Sequence, residues 1–316
     1  MSLSVRATTA VVVNWRTPGQ TRRAVEALVA DGIPPERVVA VDNGSGGGDA
    51  EALERDLRPS PVLALPENVG YGAACNAGAT FLPGDAYLFV NSDAFARPCS
   101  AAALARALDD PRVGVAVPRL VNEDGTLQRS VVPLSTPLPE LVRASGLSRL
   151  VPNGLQPRFG THWDHGSSRR VQAAVGAVLL VRGEAWNELG GFDERRHMFA
   201  EEHDLFWRAA KAGWAAQFVA EAEFVHLGGT STARRWDEPE RAALVARAEA
   251  DVIRTHLSRP RATLTIGLMA LGVGARSAMH GVVGHREAAR AQAAWFRGYA
   301  SGLWRSPGSN STPLGK

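Results

Sequence analysis

Residues 10–44 read AVVVNWRTPGQTRRAVEALVADGIPPERVVAVDNG, and this stretch decides the fold class. AVVVNW (10–15) is an unbroken apolar run, the pattern of a strand buried on both faces. The spacing then predicts a helix from about Thr17 to Asp31, and RVVAVDNG (37–44) is a second buried strand that ends in polar residues. Strand, helix and strand in this order form a βαβ unit with a parallel sheet. Two further units follow. GSGGGD (44–49) precedes another helix, PVLALPEN (61–68) is a third strand, YGAACNAGATFL (71–82) a small-residue helix, and AYLFVNSD (86–93) a fourth strand closing on an acid. The class is therefore α/β, a mostly parallel sheet flanked by helices. Asn14, Asp42, Asn68 and Asp93 all fall at the C-terminal ends of these strands, the edge at which open α/β sheets bind ligands.

Beyond this half the pattern loosens. Residues 119–170 hold Pro133, Pro137, Pro139, Pro152 and Pro157 with several arginines, and read as loops and short helices covering an acceptor site. VQAAVGAVLLV (171–181) is expected to be one strand, EAWNELGGF (184–192) a short helix, residues 201–213 an amphipathic helix and residues 215–229 a closing strand region. A long helix is expected from about Asp237 to Ser258, then a basic small-residue segment to about Trp304. The division expected is a catalytic domain at 1–235, a helical extension at 236–305 and a disordered tail at 306–316.

Charge narrows the function. The 35 Lys and Arg and 32 Asp and Glu give a net charge of +3. After residue 250 the only acids are Asp251 and Glu287, so the basic excess is confined to the C-terminal extension. The body has no general affinity for polyanions, which argues against nucleic acid. The extension suits an anionic membrane surface, with Arg259, Arg261, Arg276, Arg286, Arg290, Arg297 and Arg305 at the lipid and Leu264, Ile266, Leu268, Met269, Leu271, Trp295, Phe296 and Trp304 entering the interface. The competing arrangement packs those apolar side chains on the catalytic domain or in a homodimer. Cys75 and Cys99 form no CxxC pair and read as two small core residues. The N-terminus lacks a signal-peptide core and cleavage site, and the longest apolar stretch, Thr263 to Ala275, is shorter than the roughly 20 residues of a spanning helix. The expectation is a cytoplasmic protein, peripheral on the inner face of the membrane.

Several groups carry chemistry. Asn91-Ser92-Asp93 closes a strand with a carboxylate, a hard oxygen ligand for Mg²⁺ or Mn²⁺. Glu201-Glu202-His203-Asp204 concentrates acids at a helix start, where one carboxylate can act as a general base. His226 ends the last strand, two residues before a glycine pair and Ser231, and a neutral imidazole is a ligand for Mn²⁺. Asn68-Val69-Gly70-Tyr71-Gly72 with Asn76 is a glycine-bearing strand-to-helix turn, yet neither it nor GSGGGD matches the dinucleotide spacing GxGxxG. Each alone is an ordinary turn, helix start or strand end.

Their order is more specific. VVVNWRT, VDNGSGGGD, LPENVGYGAACNAG, YLFVNSDA, GGFDERRHMFAEEHDLFWRAAKAGW and FVHLGGTS, spanning about residues 8–232, resemble in sequence the family 2 inverting glycosyltransferases, in particular their rhamnosyltransferase-like bacterial branch that builds cell-surface polysaccharide. The resemblance implies the GT-A fold, a dTDP-, UDP- or GDP-linked sugar as donor, a glycan or polyprenyl-diphosphate-linked acceptor and a divalent metal, Mg²⁺ or Mn²⁺. It implies donor contacts at Asn14, Asp42, Asn68, Gly70, Asn76, Asn91, Ser92 and Arg208, metal ligation by Asp93 and His226, and catalysis by Glu202 or Glu201 as base with Asp204 beside them. The resemblance also gives Asp204 and Arg208, the motif's later acid and arginine, the task of holding the helix and acceptor loop in place. Asn91 stands where the family's motif has its first Asp, which leaves Asp93 as the metal carboxylate. A sugar-nucleotide pyrophosphorylase would need a glycine-rich N-terminal loop that VVVNWRTPGQT lacks. A non-catalytic sugar-nucleotide-binding scaffold would be expected to have lost Glu202 or Asp93, and both are present.

Overall fold

The computed structural model describes residues 5–159, 162–196, 198–228 and 237–303. The expected tail at 306–316, Ser231, Trp304 and Arg305 lie outside the described residues. The first part alternates as expected: β1 (Thr8–Asn14), α1 (Pro18–Ala30), β2 (Val38–Asn43), α2 (Asp49–Asp56), β3 (Val62–Leu65), α3 (Tyr71–Phe81), β4 (Ala86–Asn91), a short β5 (Ala94–Ala96) and α4 (Ser100–Ala107). Next come β6 (Val113–Val121), β7 (Leu127–Gln128), β8 (Val131–Val132), α5 (Pro137–Ala144) and α6 (Gln156–Phe159). The remainder is β9 (Arg169–Val171), β10 (Ala173–Ala174), β11 (Val178–Arg182), α7 (Gly183–Leu189), α8 (Glu201–Lys211), β12 (Ala215–His226), α9 (Glu238–His256), α10 (Arg259–Val282) and α11 (Arg286–Gly302).

The main sheet has the order β3-β2-β1-β4-β11-β6-β12-β5. β3, β2, β1 and β4 are mutually parallel, and β6 and β12 run the same way; β11 and β5 run against them. Side-chain alternation divides the core between the two faces. Ala10 and Val12 pack with Leu28, Val38 and Leu88 on one face, while Val11 and Val13 pack with Val41, Phe89 and Trp186 on the other. Burying each of these valines on folding stabilises the protein by about 1.5–3 kcal/mol, which is why near-continuous apolar runs become central strands. In-register pairing brings Asn14 beside Asp42 and Val13 beside Asn91, so the polar strand ends meet at one edge.

Three expectations change. The nine-residue β6 is not among the expected strands: only its last three residues fall in the stretch 119–170 read as loops, and it lies inside the sheet between β11 and β12. Pro118 offers no N–H to the ladder, and β12 shifts register opposite it, between Val219 and Glu223. The single strand expected at 171–181 is interrupted at residues 175–177, and β10 instead joins β8 in a separate ribbon. Cys75 is buried as expected, whereas Cys99 is exposed, with a left-handed φ of 68° before α4.

The C-terminal extension is three packed helices. Ile266 and Met269 of α10 are buried with Ile253 of α9 and Tyr299 of α11, and Trp295 packs against them, so these side chains are core and not membrane-facing. Leu264, Leu271 and Phe296 are exposed. The 13-residue apolar stretch belongs to a 24-residue helix that is long and apolar enough to cross a membrane, although 39% of its most apolar window is buried against the rest of the protein.

Candidate active site

The acids of 201–204 are presented by an unusual backbone. Phe199 and Ala200 both adopt left-handed conformations, with φ of 68° and 62°, directly before α8 begins at Glu201. Non-glycine residues held there cost about 1–3 kcal/mol each, a strain that folded proteins retain at functional sites. The turn places Glu201 and Glu202 in the wall of a cleft of about 380 Å³.

Tertiary contacts hold this turn. Arg196 is buried, with Nη1 2.9 Å from Asp251 of α9 and Nε 3.4 Å from Asp204. Asp204 also meets Arg208 Nε at 2.7 Å and His256 Nε2 at 2.8 Å. Burial pushes the Asp204 carboxyl up, but hydrogen bonds from His256 and Arg208 outweigh it and hold it at about 2. Arg208 further donates to the carbonyls of Leu189 and Gly191. Asp204 and Arg208 do not line the cleft, in keeping with the resemblance, which gives the motif's later acid and arginine the task of holding the helix and acceptor loop in place. They position α8: Asp204 and Arg208 pair with each other along the helix, Asp204 is further bound by Arg196 and by His256 of α9, and Arg208 Nη1 holds the 189–191 turn.

The two glutamates differ. Glu201 is buried, and one of its carboxylate oxygens has no hydrogen-bond partner. Burial, then the neighbouring Glu202 charge, push Glu201 up to about 8. At neutral pH Glu201 therefore keeps its proton. Glu202 is half-buried at the cleft surface, within reach of a ligand. Its side chain rests on Gly176: a Cβ on that residue would lie 3.0 Å from Glu202 Cβ and Cγ. Gly176→Val is expected to displace Glu202 and lower turnover at least tenfold while leaving the circular dichroism spectrum unchanged, since an off-position catalytic group costs rate before it costs fold.

The two residues expected to hold the metal, Asp93 and His226, meet across β5 and β12. His226 pairs with Ala94, the residue after Asp93, and Leu227 N donates to the Asp93 carbonyl at 3.0 Å. His226 Nε2 thereby lies 3.5 Å from Asp93 Oδ1. The other ring nitrogen, Nδ1, lies 2.6 Å from Gln128 Oε1; as that carbonyl oxygen only accepts, Nδ1–H donates to it, and Nε2 is the ring nitrogen turned toward Asp93. Among the described residues no cluster of three or more His, Cys, Asp and Glu forms a metal cage. One carboxylate and one imidazole fit a hard divalent cation whose other positions are filled by phosphate oxygens and water. Gln128 had no sequence signal, being in a two-residue strand within the stretch expected to be loops.

Asn68, Gly70, Asn91 and Ser92 also line the cleft. Gly70 has a φ of 95°, and Asn68 Oδ1 accepts from its N–H at 3.1 Å. Asn43 Oδ1 accepts from Val69 N at 3.0 Å, making Asn43 the clamp of this turn and a lining residue that the sequence motif concealed beside Asp42. Asn14 and Asp42 are not on the cleft surface. Both are buried, with Asn14 Nδ2 donating to Asp42 Oδ1 at 2.7 Å and Thr21 Oγ1 donating to Asn14 Oδ1 at 2.8 Å. Asn76 is also displaced from the expected donor contact: it brackets Phe192, donating to its carbonyl and accepting from its N–H, each at 2.9 Å. Trp15 lines the cleft as well. So do Arg241, Val245 and Glu249 of α9, so the helical extension forms part of the cleft wall.

The profile of the family described as "Glycosyl transferase family 2" matches residues 9–163. The chain is 33% identical over 249 residues to the N-acetylglucosaminyl-diphospho-decaprenol L-rhamnosyltransferase of Mycobacterium tuberculosis, covering 71% of this chain and 77% of that protein. The chain belongs to glycosyltransferase family 2. This glycosyltransferase is also 27% identical over 230 residues to the O-antigen biosynthesis protein RfbC of Myxococcus xanthus, covering 70% of this chain and 17% of that protein. Its fold resembles a mannosyltransferase from Pyrobaculum calidifontis solved with GDP-Man and Mn²⁺, with a TM-score of 0.58 and 16% identity over 94% of this chain and 87% of that one. The expected GT-A fold is thus the observed one.

Proposed function

We propose that this glycosyltransferase moves rhamnose or a similar hexose from a nucleotide-diphosphate sugar to a hydroxyl of a lipid-diphosphate-linked saccharide, by one inverting displacement at the inner membrane face. The observation that carries the reading is the placement of the Glu201–Glu202 pair and the Asp93–His226 pair in one cleft. Glu202 accepts the proton of the acceptor hydroxyl as its oxygen attacks the anomeric carbon from the face opposite the leaving diphosphate. A single base and a single displacement invert the anomeric configuration. Asp93 and His226 would hold a divalent cation, which when bound neutralises charge developing on the leaving diphosphate. The acceptor class follows the printed name of the mycobacterial relative.

The test offers dTDP-, UDP- and GDP-linked sugars with Mn²⁺ and N-acetylglucosaminyl-diphospho-polyprenol, and reads the product's anomeric configuration by NMR. A product with inverted configuration is expected; retention, or donor binding without turnover of any donor, overturns the proposal. Asp93→Ala is expected to abolish the Mn²⁺-dependent part of donor binding in calorimetric titrations with and without EDTA. Gln128→Leu frees the His226 tautomer and is expected to weaken that part by about 10–100-fold.

A further inference from the structure

Beside the catalytic cleft lies a second cavity, of about 200 Å³, between α5, α10 and α11. His203 and Glu249 line both, so the two spaces adjoin at the residue following Glu202. The second cavity has two guanidinium groups from different helices in its wall, Arg143 of α5 and Arg276 of α10. Gly272 keeps them close: a Cβ there would lie 3.2 Å from Ala144 Cα, so a larger residue would push α10 and α5 slightly apart.

The cations are unequally compensated. Arg143 Nη1 is 3.0 Å from Glu140 Oε1. Glu249, the acid in the cavity wall, is engaged by the Tyr299 hydroxyl, which donates to it. Arg276 makes no ion pair among the described residues; its Nε reaches the neutral Gln292 Oε1 at 3.4 Å. Burial and then the Arg143 charge push the Arg276 guanidinium down, against the weaker opposing pull of the Tyr299 and Glu140 side chains. Outside the cavity, Leu138 and Leu141 of α5 and Leu264 and Leu271 of α10 are exposed. A cavity holding a guanidinium with no ion pair among the described residues, between two helices that also carry exposed leucines, matches an amphiphile with an anionic head.

We propose that this cavity is the acceptor subsite, in which Arg276 and Arg143 hold the pyrophosphate of a lipid-linked saccharide while its hydrocarbon chain runs over the exposed leucines of α5 and α10. The saccharide then extends past His203 and presents its hydroxyl to Glu202. The inference rests on the transferase reading above and deepens it, by assigning the acceptor's charged group to residues outside the catalytic motifs.

The experiment titrates the full chain with geranylgeranyl diphosphate in detergent and EDTA, which removes any metal-held binding at Asp93 and His226. Inorganic pyrophosphate and geranylgeraniol serve as the other two arms. Wild type is expected to bind the prenyl diphosphate at least tenfold more tightly than either fragment. Arg276→Gln is expected to weaken that binding about 10–100-fold, the range for losing a charge-assisted hydrogen bond, and Arg276→Lys to restore part of it. Arg276 is the residue of choice because Arg143 also compensates the buried Glu140; melting temperature and a separate nucleotide titration check that the variants remain folded. Equal binding by Arg276→Gln and wild type overturns the proposal. Pyrophosphate binding as tight as the prenyl diphosphate overturns the lipid assignment, and so does equally tight geranylgeraniol. Because this is equilibrium binding, it stands apart from the function test: failure of all sugar transfer sinks the transferase reading, whereas transfer to a soluble saccharide with no prenyl diphosphate binding sinks this one.

Discussion

Glu202→Gln lowers the rate of sugar transfer by about 10²–10⁴-fold while nucleotide-sugar binding, read by thermal shift, stays within twofold, the range spanned by a lost general base. The amide keeps the shape that rests on Gly176 but cannot take the acceptor proton. Glu201→Gln behaves differently, and the contrast separates the two. Glu201 titrates at about 8 in the folded protein against an ordinary 4.5. A carboxyl with a raised folded pKa favours folding fully below about pH 4.5, and that contribution is lost as pH rises through about 8. The Gln variant, which never ionises, should therefore melt with wild type near pH 4.5 and be the more stable by pH 8, by on the order of a few kcal/mol. A Glu201→Gln variant that loses as much turnover as Glu202→Gln, with no gain in melting temperature at pH 8, would reverse the assignment of the base.

Asp204→Ala is expected to destabilise the protein by about 3 kcal/mol, because it strands buried Arg196 and half-buried Arg208 and His256 beside an empty carboxylate position. Asp204→Asn, which retains the shape, should lose less. The wild-type carboxyl sits at about 2, below its ordinary 3.8, so its stabilisation is present above about pH 3.8 and is lost as pH falls through 2. The deficit of the variant, measured by chemical denaturation, should then shrink in strong acid. Turnover should fall as well, since Asp204 and Arg196 hold the strained turn at Phe199 and Ala200 that aims both glutamates. A variant as stable as wild type at pH 7 would contradict the network.

The parallel half of the sheet was legible because its strands are apolar enough to be recognised one at a time. The βαβ unit of residues 10–44 appears almost residue for residue as β1, α1 and β2. β6 escaped because Pro118 breaks the local pattern, and only pairing with β11 and β12 makes it a strand. The site was legible as an ordered set of motifs but not as a set of surfaces. Asp42 and Asn43 are adjacent, yet Asp42 is locked to buried Asn14 while Asn43 lines the cleft.

What the sequence by itself determined was the α/β class, the family resemblance and the residues around which the cleft is built, since these depend on local periodicity and motif order. The tertiary structure alone decided which glutamate is buried, which partners hold Asp204 and Arg208, that Asn76 brackets Phe192, that Gln128 orients His226, and that α9 walls the cleft. The physical reason is range. Desolvation, charge pairing and tautomer choice depend on groups brought within a few ångströms by folding, and Asp204 with His256, or Gln128 with His226, stand far apart along the chain.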